Sequence, residues 1–423
     1  MMKRILTNLL LVLLVTSAWA QRTSAISQLQ TDPRKAYGMD YPYSLNTAPL
    51  TKAPDGYVPF YVSHYGRHGS RYYWTDKLYR ELDTLLTDAH NRHNLTAEGE
   101  AFYERYMAVK DELLTGMGEL TQLGWNQHQG IARAMYDNFP EVFNHGGYVS
   151  AVSSLSGRCV ISMSAFCLAL MQRNPAIDIR EQSSRFTLDG VVPMDRQNPV
   201  KHHYPKVRPN YEKNRDQFSC HDQLRRKAVE RVFVNTDSLH ANLHHTGSNL
   251  INLYTSLPSI GHEGLMGNII TDAELVDEWE TSNLGSYSWV FAPQYEMIPI
   301  LEDFIRKADA VIDGSSNHLA DLRFGHDNCL GPLTVLMGIN GADRNPDDPN
   351  EVKDCYQNWE TCKASNLQLV LYRSARAADD VLVKCLLNGE EAVLPVPTDS
   401  YPYYKWADFR SFYKKRCESV STQ

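Results

Sequence analysis

The chain is short of several features that mark common protein classes. No CxxC pair occurs among its eight cysteines, at positions 159, 167, 220, 329, 355, 362, 385 and 417, so zinc-ligand spacing is missing and no metal is expected. It has no internal repeat and no low-complexity tract, which argues against a repeat array. Positive charge is scarce: 42 Lys and Arg stand against 50 Asp and Glu, a net charge of −8. That balance argues against a nucleic-acid or anionic-membrane binder, and an anionic ligand would require cations gathered locally. Beyond the first twenty residues, no stretch is long and apolar enough to span a bilayer.

The N-terminus carries a targeting pattern. Lys3 and Arg4 form a basic start, Leu9 to Val15 an apolar run, and Ala18-Trp19-Ala20 a small-x-small cleavage site. Residues 1–20 are therefore expected to be a signal peptide, with Gln21 as the mature start and no membrane insertion after cleavage. Loss of Lys3 and Arg4 would take the net charge from −8 to −10. Export to a periplasm or beyond permits disulfides. Cys355 and Cys362, around Trp359, are the candidate pair. Cys159 and Cys167 lie in an apolar helix-like run and read as buried thiols.

A length of 423 residues calls for a large domain with a subdomain, or two domains. Val58 to Ser63 reads as a strand that runs into His64-Tyr65-Gly66-Arg67-His68-Gly69. Helical spacing follows at Leu78 to Leu86, Ala101 to Leu114 and Thr121 to Met135. Gly147 to Ser153, Ala176 to Arg180, His318 to Phe324, Gln368 to Tyr372 and Val381 to Leu387 read as further strands, the last turning at Asn388-Gly389. Arg158 to Met171, Leu330 to Met337 and Tyr404 to Arg416 read as helices. The alternation predicts an α/β fold with a mostly parallel sheet flanked by helices. Residues 21–185 and 296–423 form its core, and 186–295 an inserted, mainly α cap.

The chemistry gathers at Arg67-His68-Gly69-Ser70-Arg71. Two Arg flank a His at a strand end, and Arg suits bidentate phosphate recognition. Gly69 lets the backbone turn beside the imidazole. Neighbouring guanidinium groups disfavour the imidazolium, and a neutral imidazole is a competent nucleophile. His64 lies four residues before His68, but on a strand that separation is too long for a metal pair.

Arg-His-Gly-x-Arg after a strand resembles the signature of the histidine phosphatase superfamily. Leu120-Thr121-Gln122-Leu123-Gly124-Trp125-Asn126-Gln127, the segment from Ser153-Ser154 through Arg158 to Ser162 and Phe166, and Leu322 to Asp327 are similar to motifs of its acid phosphatase/phytase branch. Val381 to Lys384 and Pro402 to Trp406 resemble bacterial multiple inositol polyphosphate phosphatases. Two positions depart from these patterns. Tyr72 follows Arg71 where many acid phosphatases have Pro, and His326-Asp327 stands where the inositol polyphosphate enzymes have His-Ala-Glu.

The resemblance implies an exported phosphomonoesterase with His68 as nucleophile and Asp327 as proton donor. Arg67, Arg71, Arg158 and His326 would bind the phosphoryl group. The scheme needs no metal and no cofactor, and its partner is a small phosphorylated molecule. Inositol polyphosphates are the favoured substrates; a broad acid phosphatase and a catalytically silent phospholigand-binding protein are the alternatives. Asp327 would need a raised pKa to act near neutrality, so an acidic-to-neutral optimum is expected. The basic stretch Lys201 to Arg215 reads equally as a polyanion-attracting cap or a solvated loop.

Overall fold

The computed structural model describes residues 23–217, 223–239 and 241–421. The expected leader, residues 1–20, and Cys220 lie outside them. The strands are β1 (Tyr57–Arg67), β2 (Gly147–Ser153), β3 (Ile177–Gln182), β4 (His318–Gly325), β5 (Asn366–Ser374), β6 (Val381–Leu387), β7 (Glu390–Glu391) and β8 (Tyr403–Lys405). They form one sheet in the order β3-β2-β4-β1-β5-β6-β7, with β8 also paired to β6.

Longer helices flank the sheet or join its strands: α1 (Lys77–Asn91), α2 (Ala97–Thr115), α3 (Gln122–Asn138), α4 (Gly157–Arg173), α5 (Gln223–Val232), α6 (Leu243–Ser256), α7 (Asp272–Phe291), α8 (Ile298–Ile312), α9 (Asp327–Met337) and α10 (Trp406–Ser421). Among the described residues, no helix is long and apolar enough to cross a membrane.

The α/β architecture expected from the sequence is present, but only half of the sheet is parallel. β3, β2, β4 and β1 run parallel. The pairings β1–β5, β5–β6, β6–β7 and β6–β8 are antiparallel. For β5–β6 and β6–β7 the reason is connection length. Parallel neighbours need a long crossover, whereas a short loop permits a hairpin. Only a short loop separates β5 from β6. Asn388 and Gly389, with φ of 56° and 79°, close the β6–β7 hairpin.

Both faces of the sheet are covered. Tyr61, Tyr65, Leu369 and Leu371 pack on one face with Phe304, Leu333 and Phe409. Val62, Leu322, Phe324 and Val370 pack on the other with Ile131 and Phe166. Alternate residues of one strand thus enter different cores, as the two-residue period of a strand requires.

A third core forms a helical lobe, in which Leu82, Leu86, Phe102 and Tyr106 meet Ala228, Leu250 and Trp279. The lobe therefore draws on two stretches. α1 and α2, grouped with the core from sequence, pack with the helices of the expected insertion. Val191 and Val192, inside the expected insertion, pack against the sheet. A 3.6-residue apolar stripe shows that a helix has a face to bury, not which element covers it.

The expected disulfide is not formed. Cys362 is a buried thiol 3.2 Å from Ser365 Oγ and is not bridged to Cys355. Cys159 and Cys167 are buried thiols, as expected.

Candidate active site

Three parallel strands end at the same level. Arg67 of β1 pairs with Gly325 of β4, and Ser153 of β2 pairs with Phe324. The ladder continues one step further. His68 N donates to Gly325 O at 3.0 Å, and Ser154 N donates to Phe324 O at 2.9 Å. His68, His326 and Ser154 are thereby set side by side at the carboxyl edge of the sheet, the position where open α/β sheets bind ligands. β1 is longer than its sequence pattern predicts, because its register with β4 runs through Gly66 and Arg67.

The loop after β1 is gripped from several sides. Gly69 N donates to Ser162 Oγ of α4, and Ser70 N donates to Gln127 Oε1 of α3. Ala364 N donates to His68 O. The expected role of Gly69 changes. Its φ lies outside the left-handed region, and what requires glycine is contact: a Cβ there would lie 2.5 Å from Gly124 O. Gly325 is held for a similar reason, since a Cβ would strike the Tyr65 hydroxyl.

His68 is buried, and its ring Nδ1 lies 3.0 Å from Gly69 O. A carbonyl only accepts, so Nδ1 carries the proton and Nε2 keeps its lone pair. Burial, with Arg71, Arg67 and Arg158 nearby, holds its pKa well below the usual histidine range. The neutral form expected from the flanking arginines is the one this environment favours.

Arg67, 2% exposed, is fixed by its own fork. Nη1 donates to Met39 O at 3.0 Å and Thr361 O at 2.7 Å, and Nη2 pairs with Asp327 Oδ2 at 2.8 Å. Burial, then Arg67, lower the Arg71 pKa to about 10. The Nε atoms of Arg67, Arg71 and Arg158 are buried and have no hydrogen-bond partner in the protein. Buried donors of this kind cost free energy unless a ligand meets them.

His326 lies 5.6 Å from His68 between ring centroids, in an edge arrangement. Its Nε2 is 3.0 Å from Ser154 Oγ, and Arg158 Nη2 approaches its Nδ1 at 3.5 Å. Burial and Arg158 lower its pKa to about 4. Asp327 is the first residue of α9, where the helix dipole favours a negative charge. Burial opposes its ionisation, but Arg67, Arg71 and His326 outweigh that and hold its pKa below the ordinary value. The raised pKa that catalysis near neutrality would need is thus not what these side chains supply by themselves.

Arg67, His68, Arg71, Arg158, His326 and Asp327 therefore form one cluster. Two groups beside it carry no signal in the sequence. Lys363, buried, pairs with Asp40 at 2.7 Å, and both are coupled to Arg67 and Arg71. Four cations (Arg67, Arg71, Arg158, Lys363) thus meet two carboxylates, Asp40 and Asp327, leaving two positive charges when the histidines are neutral.

His64 is buried between Phe166 and Phe324, each 5.2 Å away. Among the described residues, no group of acidic, His or Cys side chains could hold a metal ion. Of the basic stretch, His202 has a defined pairing and cavity. His202 pairs with Asp189 at 2.6 Å and lines a separate open cavity of about 800 Å³ with Glu302 and Lys414. Lys201, Lys206, Arg208 and Lys213 are exposed; the Arg215 side chain lies outside the described set.

Residues 66–256 match the histidine phosphatase superfamily (branch 2). This span carries the Arg67 to Arg71 loop, α3 and Arg158. The resemblance seen in those motifs therefore holds. In fold the chain is similar to the multiple inositol polyphosphate phosphatase of Bifidobacterium longum in complex with inositol hexasulfate. That match has 18% identity and a TM-score of 0.68, and covers 90% of this chain and 97% of the other. It is also similar to the phytase of D. castellii, at 16% identity and a TM-score of 0.67, covering 92% and 86%. The Hafnia alvei phytase in complex with myo-inositol hexakis sulphate gives 11% identity and a TM-score of 0.54, covering 86% and 99%. At these identities the likeness is one of fold. A search of curated proteins finds no match.

Proposed function

We propose that this chain is an exported phosphatase that hydrolyses phosphate monoesters through His68, with inositol polyphosphates as the favoured class. One observation carries the reading. A neutral imidazole with a free Nε2 stands among three arginines whose buried Nε donors lack protein partners. The net of two positive charges suits a phosphomonoester dianion. The superfamily match and the folds of the inositol polyphosphate phosphatase and phytases support the same class. The leader-like residues 1–20 support export.

In this scheme His68 Nε2 forms a bond to phosphorus as the bond to the ester oxygen breaks. Asp327, protonated when the dianion has offset Arg67 and Arg71, gives its proton to the leaving alkoxide. The Asp327 carboxylate then takes a proton from water. The resulting hydroxide attacks phosphorus, the phosphorus–nitrogen bond breaks, and phosphate leaves. Arg67, Arg71 and Arg158 bind the phosphoryl oxygens and stabilise the charge that builds on them. Arg158 does so by exchanging its 3.5 Å contact with His326 for a phosphoryl oxygen, and His326 completes the pocket.

The test is phosphate release from inositol hexakisphosphate and p-nitrophenyl phosphate by the wild type and His68→Ala. Release by the wild type and none by the variant is expected. No release by the wild type from any monoester overturns the reading, and release that survives His68→Ala overturns the mechanism. Equal rates on both substrates would favour a broad acid phosphatase.

A further inference from the structure

The Asp40–Lys363 pair has no part in that scheme, yet it borders the site. Lys363 Nζ lies 2.7 Å from Asp40 Oδ1 and 2.8 Å from Ser259 Oγ. Arg67 Nη1 donates to the carbonyl of Met39, the residue before Asp40, and to that of Thr361, two before Lys363. Ala364, the residue after Lys363, donates its N–H to His68 O at 2.9 Å. The segments that carry the pair are thus the segments that hold the nucleophile and its first arginine.

The two partners differ in reach. Lys363 is 1% exposed, whereas the Asp40 side chain keeps 26% of its surface open. A sealed ammonium is stable only when paired, and Asp40 and Ser259 meet it here. Burial lowers the Lys363 pKa to about 8, and Asp40 opposes that shift. Burial would raise the Asp40 pKa, but Lys363, Arg71 and Arg67 outweigh it and keep Asp40 ionised. The group a ligand can meet is therefore a carboxylate, held at Oδ1 by Lys363 and met at Oδ2 by the Thr255 hydroxyl at 3.4 Å, a long contact that a substrate hydroxyl would replace.

A carboxylate beside two arginines, Arg67 and Arg71, is not what a general trap for polyanions would place there. It accepts a hydrogen bond from a hydroxyl and repels a second phosphate, so it discriminates by repulsion as well as by attraction. We propose that Asp40, held by Lys363, is a specificity-determining residue that takes a free hydroxyl of the substrate beside the bound phosphate and disfavours a phosphate at that position. This rests on the cluster being a phosphate site. It predicts that the scissile phosphate of a preferred inositol or sugar phosphate has an unesterified neighbour on the Asp40 side.

The experiment compares wild type with Asp40→Asn, and with Asp40→Ser should the first variant fold poorly. Calorimetry measures binding of inorganic phosphate and of inositol hexasulfate, in which every position is anionic. Kinetics measure kcat/KM on inositol hexakisphosphate and on glycerol 2-phosphate, whose neighbouring hydroxyls are free. Removing the charge is expected to favour the hexasulfate over phosphate by about tenfold, the effect of about 1.4 kcal/mol. The kinetic ratio should shift toward inositol hexakisphosphate through KM. Lys363→Met, which removes the ammonium paired with Asp40, should move both ratios the other way, and the double variant should return toward wild type. A wild type that binds both ligands while the Asp40 variants leave the ratios unmoved, or move them toward phosphate and glycerol 2-phosphate, overturns the proposal alone. A wild type that binds neither ligand overturns the phosphate-site reading and this proposal with it.

Discussion

Gly69 and Gly124 meet without side chains between them: a Cβ on Gly69 would lie 2.5 Å from Gly124 O, and one on Gly124 would lie 2.3 Å from Ser70 O. α3 is thereby seated directly on the loop that carries His68. Its Thr121 cap and Gln127 bond the same loop, through Ser70 O and Ser70 N. Gly124→Ala forces backbone to move on one side or the other. It should cost about 1–3 kcal/mol of stability, as overpacking does. With His68 displaced, the proposed reaction should also slow, by about a hundredfold for an ångström-scale shift. Urea unfolding and kcat on p-nitrophenyl phosphate check both, and a variant with wild-type values in each would contradict the contact.

Arg67 is held as a fork, with Nη1 on two carbonyls and Nη2 on Asp327. A lysine has one point charge and cannot keep that geometry. Arg67→Lys should lower kcat/KM by about 10²–10³, the usual cost of losing a donor to a developing anion. An activity within a few-fold of wild type would show that charge alone suffices there.

In the proposed scheme Asp327 sets the pH dependence. Burial raises the Asp327 pKa, but Arg67 and Arg71 outweigh it and hold it low in the free protein. The protonated donor is therefore depleted as pH rises. Alkyl phosphates need that proton, whereas p-nitrophenolate leaves without it. The ratio of kcat/KM for glycerol 2-phosphate to that for p-nitrophenyl phosphate should fall from pH 4 to pH 8. Asp327→Asn should lower the ratio and flatten its slope. A ratio that climbs with pH would remove Asp327 from the donor role.

Two buried histidines beneath the loop tie stability to pH. Burial holds the His64 pKa well below the usual range and lowers that of His128 to about 3. Both approach about 6.5 in the unfolded chain. Between those values the unfolded chain binds more protons. Stability is thus intact above about pH 6.5 and declines as pH falls toward about 3, by up to about 1.4 kcal/mol per pH unit for each histidine. His128→Leu should reduce that slope in urea unfolding between pH 6.5 and pH 4. An unchanged slope would show that other groups set the acid limit.

Much of the site is legible in the sequence because strand ends and motif residues are local along the chain. Gly147–Ser153 and Val381–Leu387 read as strands from their own apolar content, with no partner needed. Arg67, His68 and Arg71 stand out by adjacency, and His326-Asp327 by following a strand. Asp40 and Lys363 give no signal, since an isolated Asp and an isolated Lys are ordinary until the chain brings them to 2.7 Å. The state of Asp327 is equally hidden, because it depends on the distance to Arg67 and not on the neighbours of Asp327 in the chain.

The sequence by itself determined which residue types make up the candidate site and which segments present them, because apolar period and local motif are properties of neighbours along the chain. The tertiary structure decided which strands run antiparallel, which helices share the lobe, why Gly69 must be glycine, and which carboxylates temper the arginines. Those outcomes depend on distances of a few ångströms between remote segments, where steric exclusion and Coulomb energy change steeply.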